Sequence, residues 1–239
     1  MIALLLALLL AGAAQAGEAP SPPPRELVVL VHGLGRSERA MRPLAKRLEA
    51  AGYSVHALGY ESTEKPPEAL VADLEAALAE CCAAAQRVHF VTHSLGSILL
   101  RALLAEQAPA RLGRVVMLAP PNHGSELADW LRGSEVALAV MGPTASELGT
   151  DEASLPNRLP PAHFEVGVIA GSDSWNPIGS RMIPGDDDGT VSVASARLEG
   201  MRDFLVLPVS HTLILRSPEA AHQTLAFLRT GHFLREPPE

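Results

Sequence analysis

Short runs of β-branched residues and leucine alternate with segments of helical periodicity along most of the chain, and this alternation restricts the fold more than any other feature. The runs at 27–31 and 88–92 are apolar at nearly every position. That suits strands covered on both faces, whereas a half-exposed strand would alternate polar with apolar. Further strands are expected at 53–58, 115–119, 164–170 and 204–207. Between them, Met41, Leu44, Ala45 and Leu48 repeat at helical spacing, with Gly52 as a stop. Pro43 sits awkwardly inside that helix and leaves its start open. Pro66 and Pro67 open a helix with Leu70, Val71, Leu74 and Leu78 on one face. Segment 95–106 reads as a helix apolar nearly all round, and 218–229 as a final helix. Strands alternating with helices predict an α/β fold: a mostly parallel sheet of about six strands with helices on both faces. Two segments interrupt the rhythm, an insertion at 121–162 with an amphipathic part at 127–141 and a Gly-, Ser- and Asp-rich loop at 171–192. Both leave from carboxyl ends of strands, where open α/β sheets bind ligands, so they are expected to wall or cover a site.

The 239 residues fit one domain spanning 26–239. Residues 1–16 read as a signal peptide: an apolar run, too short to span a bilayer comfortably, followed by Ala14-Gln15-Ala16. Cleavage near Ala16 would export the protein to the periplasm or medium; an uncleaved N-terminal anchor is the alternative. Residues 17–25 form a Pro-rich leader. With 27 acidic and 19 basic side chains and no dense Lys/Arg cluster, a nucleic-acid partner is not expected. The adjacent Cys81 and Cys82 make no disulfide framework. They fall at a helix end, one expected toward the core and the other toward the surface.

Thr92-His93-Ser94-Leu95-Gly96 lies between a buried strand and a buried helix. A serine on so tight a turn points its hydroxyl out of the sheet edge, and its neighbours must be small for the turn to close. The helix that follows aims its free N–H groups at the same point. Read alone, the triplet would be a serine N-cap. The segment resembles the nucleophile elbow of the α/β-hydrolase superfamily, particularly its bacterial lipase and esterase branch. The usual pattern is Gly-x-Ser-x-Gly, and Thr92 departs from it at the first small position. The resemblance implies a three-layer α/β-hydrolase fold with a small lid-like insertion and Ser94 as nucleophile. His32-Gly33-Leu34-Gly35, at the end of the first buried strand, resembles the turn that supplies one oxyanion donor in such lipases. By position the donors are the backbone N–H groups of Leu34 and Leu95, with His32, Gly33, His93 and Gly96 shaping the two turns.

A nucleophilic serine needs a base, and the base an orienting carboxylate. Of nine histidines, His211 follows the last strand at the sheet's carboxyl edge, which fits the family's chain order of serine, acid, histidine. His123 comes too early, His56 and His89 lie in strands, and His222 and His232 lie within or beyond the last helix. For the acid, Asp173 follows the fifth strand directly, whereas Asp188 matches the Asp-Gly-x-Val motif of similar bacterial lipases and is favoured. Asp186 and Asp187 read as a solvated acidic turn. A calcium site there is conceivable, but three consecutive carboxylates do not easily face one ion, and no metal or other cofactor is assigned. Pro120-Pro121-Asn122-His123-Gly124-Ser125 resembles a pocket-shaping turn of related sequences; Ser125 lacks an elbow and has no catalytic role. Trp130, Leu131, Val136 and Met141 are either an apolar lid face or ordinary packing. The resemblance implies an exported hydrolase of small-molecule or lipid carboxylic esters, with transient contact to a lipid surface. A thioesterase or acyltransferase on the same residues is the alternative, and a non-catalytic lipid binder a more distant one. A dehalogenase is excluded, because that branch carries aspartate where Ser94 stands.

Overall fold

A computed structural model describes residues 26–106, 108–109, 111–174 and 177–235. The expected signal peptide and Pro-rich leader lie outside the described residues. Strand β1 is Glu26–Val31, and a 3-10 turn at Glu38–Met41 leads into helix α1, Arg42–Ala50. Pro43 is therefore no interior breaker. It sits in the first turn of α1, where its missing N–H would have had no helical partner. The order continues with β2 (Ser54–Leu58), α2 (Pro67–Cys81), β3 (Arg87–His93), α3 (Leu95–Glu106) and β4 (Leu112–Leu118). The insertion carries α4 (Glu126–Arg132), α5 (Glu135–Met141) and the single turn α6 (Leu155–Arg158) before β5 (Val166–Gly171). Then come α7 (Pro177–Met182), β6 (Asp203–Leu207) and α8 (Pro218–Thr230). The amphipathic stretch 127–141 is thus two helices, not one. Gly133 ends α4, and Ser134 starts α5 by accepting the Ala137 N–H at 3.2 Å. Helix α7 falls inside the segment read from sequence as loop.

All six strands are parallel, in the order β2-β1-β3-β4-β5-β6. Register puts Val29, Phe90, Val115 and Val166 in one row across four strands. This row faces α2 and α3 in one core, with Leu70, Leu74 and Ile98 among its members. The alternate row of Leu30, Val91 and Val116 faces the other way. It packs with Leu44 and Leu48 of α1 and Phe227 of α8 in a second core. Two cores on one sheet give three layers, and they explain why the central strands read as unbroken apolar runs. Burying each such side chain fully contributes about 1.5–3 kcal/mol. The edge strand β2 leaves Ser54 and His56 exposed, so its pattern is weaker.

Cys81 and Cys82 are both half-buried, correcting the expected split between core and surface. Their sulfurs are 3.1 Å apart as free thiols, and burial, then the contact with Cys81, pushes the Cys82 thiol up to about 12. The Cys82 thiol therefore stays protonated near neutral pH. No helix among the described residues is long and apolar enough to cross a membrane.

Candidate active site

Strand β3 is buried and ends at His93, and α3 begins at Leu95, leaving Ser94 alone at the corner. Its φ is +51°, a left-handed value that a non-glycine residue adopts at a cost of order 1–3 kcal/mol. The corner closes because Gly96 has no side chain. A Cβ there would lie 2.5 Å from the His32 carbonyl oxygen and 2.6 Å from that of Val31. Thr92, the departure from the usual pattern, is fully buried, and its hydroxyl shares a 2.7 Å hydrogen bond with Ser97 Oγ. The bulkier residue thus fastens the strand end to the first turn of α3.

The loop after β6 brings His211 over the corner. His211 Nε2 is 3.0 Å from Ser94 Oγ, and Nδ1 is 2.8 Å from Asp188 Oδ2. Asp188 is held on every side. Its Oδ1 accepts the N–H groups of Thr190 (3.0 Å) and Val191 (2.8 Å), and its backbone carbonyl accepts the His211 N–H at 3.0 Å. The carboxylate is almost completely buried, whereas the His211 ring keeps some exposure. A carboxylate accepting two N–H bonds and facing Nδ1 makes Nδ1 the protonated ring nitrogen, so Nε2 presents a lone pair to the serine. Asp173, the other acid considered, is exposed and not brought to His211.

The structure corrects the reading of Asp187. It is buried rather than solvated, and its Oδ1 accepts from Ser180 Oγ at 2.7 Å and the Gly189 N–H at 2.6 Å. Those bonds shape the turn that presents Asp188, and Ser180 comes from the overlooked α7. Asp186 is exposed. Among the described residues, no group of three or more His, Cys, Asp or Glu side chains converges as metal ligands would.

The two turn histidines have distinct surroundings. His93 Nε2 lies 2.8 Å from the His211 backbone carbonyl, which can only accept, so Nε2 carries the proton. Burial first, then the nearby His211, holds the His93 pKa well below the usual value. Among the described residues its Nδ1 has no hydrogen-bond partner; it abuts Gly33, where a Cβ would come within 2.9 Å of it. His32 is buried, donates from Nδ1 to the Gly33 carbonyl at 2.9 Å, and stacks on Tyr60 with ring centroids 4.0 Å apart. Burial likewise lowers its pKa, and it raises that of Tyr60, whose hydroxyl donates to the His32 carbonyl. Ser62 Oγ accepts the Gly35 N–H at 3.0 Å. Tyr60 and Ser62 therefore brace the turn that carries Leu34, and nothing in their local sequence announced it.

Arg101 was also missed, within a helix that reads as apolar nearly all round. It is buried in α3 and donates to the Asn122 carbonyl (2.9 Å), Asn122 Oδ1 (3.2 Å) and the Leu159 carbonyl (3.2 Å). Burial without a carboxylate lowers its pKa to about 10. The guanidinium pins the turn after β4 to α3. Ser125, in that turn, donates to the Thr190 carbonyl at 2.6 Å.

Ser94 opens into a cleft of about 210 Å³. Leu34, Leu127, Leu131, Met141, Leu148 and Val191 give it apolar walls, and Ser125 and Thr190 add polar points. The four residues considered as one lid face divide. Leu131 and Met141 line the cleft, whereas Trp130 and Val136 are 59% and 76% exposed.

A serine on a strand-to-helix corner of a parallel sheet, with a histidine and a buried carboxylate in line behind it, defines a class of α/β proteins. The chain belongs to the alpha/beta hydrolase family, whose model matches residues 28–237. Among solved structures it is similar to a phospholipase from Legionella pneumophila, with 19% identity over 86% of this chain and a TM-score of 0.68. The chain spans 59% of that protein's length. A lipase from Bacillus licheniformis in its mature form is 20% identical over 92% of this chain and 96% of its own, with a TM-score of 0.65. A metagenomic carboxyl esterase is 22% identical over 85% of this chain and 70% of its own, with a TM-score of 0.61. At these identities the likeness concerns the fold. No curated protein matches the sequence.

Proposed function

We propose that the protein is a serine hydrolase of carboxylic esters that works through an acyl-enzyme. The observation that carries this reading is the hydrogen-bonded line from Ser94 Oγ through His211 to Asp188. His211 Nε2 takes the hydroxyl proton as Oγ attacks the ester carbonyl. Asp188 keeps the ring in the required tautomer and offsets the imidazolium charge. The N–H groups of Leu34 and Leu95 receive the oxyanion; that of Leu95, at the start of α3, has no helical carbonyl to bond. His211 then protonates the departing alcohol, and a water deprotonated by the same nitrogen cleaves the acyl-enzyme, releasing the acid and restoring Ser94. Ester chemistry is further supported by the lipase and the carboxyl esterase among the structural neighbours. A cleft smaller than the roughly 300 Å³ typical of drug-sized ligand sites favours short acyl chains. Export after cleavage near Ala16 remains part of the proposal; N-terminal sequencing of protein recovered outside the cytoplasm tests it.

The deciding experiment is hydrolysis of p-nitrophenyl esters from acetate to palmitate, with Ser94→Ala in parallel and a fluorophosphonate probe on both proteins. The expected result is turnover best on short chains, labelling at Ser94, and a loss of roughly 10⁶-fold in the variant. Labelling without ester turnover would shift the reading to a thioesterase or acyltransferase. A folded protein that neither turns over nor labels would refute it.

A further inference from the structure

The cleft has one charged side chain on its rim, and its position relative to the base is informative. Arg36, from the turn after β1, lines the cleft together with Ser94 and His211. Its Nη2 donates to Thr212 Oγ1 at 3.0 Å, and Thr212 is the residue after His211. No aspartate or glutamate lies within ion-pair distance of Arg36 among the described residues, although eight ion pairs involving other arginines are present. Nor does any carboxylate line the cleft. A guanidinium held by a hydroxyl keeps most of its five N–H donors available, in a fork that matches phosphate or carboxylate oxygens.

The chemistry fixes which half of an ester would meet it. In the proposed reaction His211 Nε2 gives its proton to the departing alcohol, so the alcohol oxygen must lie beside that ring. Arg36 is tethered to the very next residue of the chain. The apolar side chains of Leu127, Leu131, Met141 and Leu148 come instead from the insertion and suit the acyl part.

We infer that the substrate is an apolar acyl ester whose alcohol carries an anionic oxyacid group, phosphate or carboxylate, which Arg36 binds. This rests on the ester-hydrolase reading and specifies its substrate class. Each hydrogen bond from a charged donor to an anion is strong enough for its loss to be measurable as about tenfold or more in kcat/KM.

The test compares three esters of one acyl chain: a monoacylglycerol, the corresponding monoacylglycerol phosphate, and an acylated hydroxy acid. Wild type, Arg36→Gln and Arg36→Lys are measured on each. The expected result is that Arg36→Gln lowers kcat/KM on one or both anionic esters at least tenfold more than on the neutral one, with partial recovery in Arg36→Lys. Which anionic ester responds separates phosphate from carboxylate. Equal losses on all three would make Arg36 only a brace for the Thr212 loop and overturn the inference, as would an unchanged ratio. Calorimetric titration of Ser94→Ala with glycerol 3-phosphate and with lactate reads the site without turnover. Binding of either that disappears in the double variant Ser94→Ala/Arg36→Gln supports the anion site even if no ester is cleaved, and binding of neither counts against it.

Discussion

Replacing Asp188 by asparagine isolates the role of its charge, because the surrounding bonds dictate how the amide must sit. Asp188 Oδ1 accepts two backbone N–H groups, from Thr190 at 3.0 Å and Val191 at 2.8 Å. An asparagine keeps those bonds only with its carbonyl oxygen in that place and its NH₂ toward His211. Flipping the amide would aim the NH₂ at two N–H donors and leave both unsatisfied, at about 1–3 kcal/mol each. The flip is therefore disfavoured by about 2–6 kcal/mol. With NH₂ facing it, His211 Nδ1 must become the acceptor, and the proton moves to Nε2, where it points at Ser94. The base is then blocked without any change in fold. The equivalent exchange in a serine protease lowers kcat about 10⁴-fold, and a comparable loss here corresponds to about 5.5 kcal/mol of barrier. The assay is p-nitrophenyl acetate turnover at neutral pH, with circular dichroism melting to show that the variant is folded. Asp173→Asn is the control and should stay within a few-fold of wild type. Asp188→Asn activity within tenfold of wild type, with a larger loss in Asp173→Asn, would refute the reasoning.

Acid should destabilise the protein through its buried histidines. His93, His32 and His89 all have pKa values lowered chiefly by burial, so between the folded and unfolded values the unfolded chain binds more protons. Their contribution is complete above about pH 6.5 and is lost as pH falls below it, at up to about 1.4 kcal/mol per pH unit for each histidine. Urea unfolding between pH 7.5 and 5 checks this, and a flat profile would contradict it. Gly96→Ala gains some helix propensity but drives a Cβ to 2.5 Å from a backbone oxygen of the neighbouring strand end. Overpacking of that kind costs about 1–3 kcal/mol, visible as a fall in melting temperature of several degrees together with reduced activity. An unchanged melting temperature would show that the corner has slack.

The layered sheet was legible because its central strands are covered on both faces, so burial at Val28–Val31 and again at Val88–Thr92 leaves a direct mark on residue choice. The corner at Ser94 was legible for the same reason: a turn between two buried elements admits few residues. Where burial is partial the signal fades. The insertion reads as one amphipathic stretch because its apolar spacing runs through Gly133 and Ser134, whose capping preference competes with it. Helix α7 and its Ser180 contact to Asp187 were hidden in a polar segment. Contacts between residues far apart in the chain leave no local trace. Tyr60 on the His32 carbonyl, Arg101 on the turn after β4, and His93 on the His211 carbonyl join residues far apart in the chain. Only their meeting above the sheet gives them a role.

Most of the ties around His211 use main-chain atoms. Its N–H bonds the Asp188 carbonyl, its own carbonyl receives His93, and the Asp188 carboxylate takes N–H groups of Thr190 and Val191. Any amino acid except proline supplies such atoms, so the side chain at 190 can change without breaking these bonds. A residue inserted or deleted between 188 and 191 would instead throw these pairings out of step. Across relatives, this turn should therefore vary in letters while keeping its count.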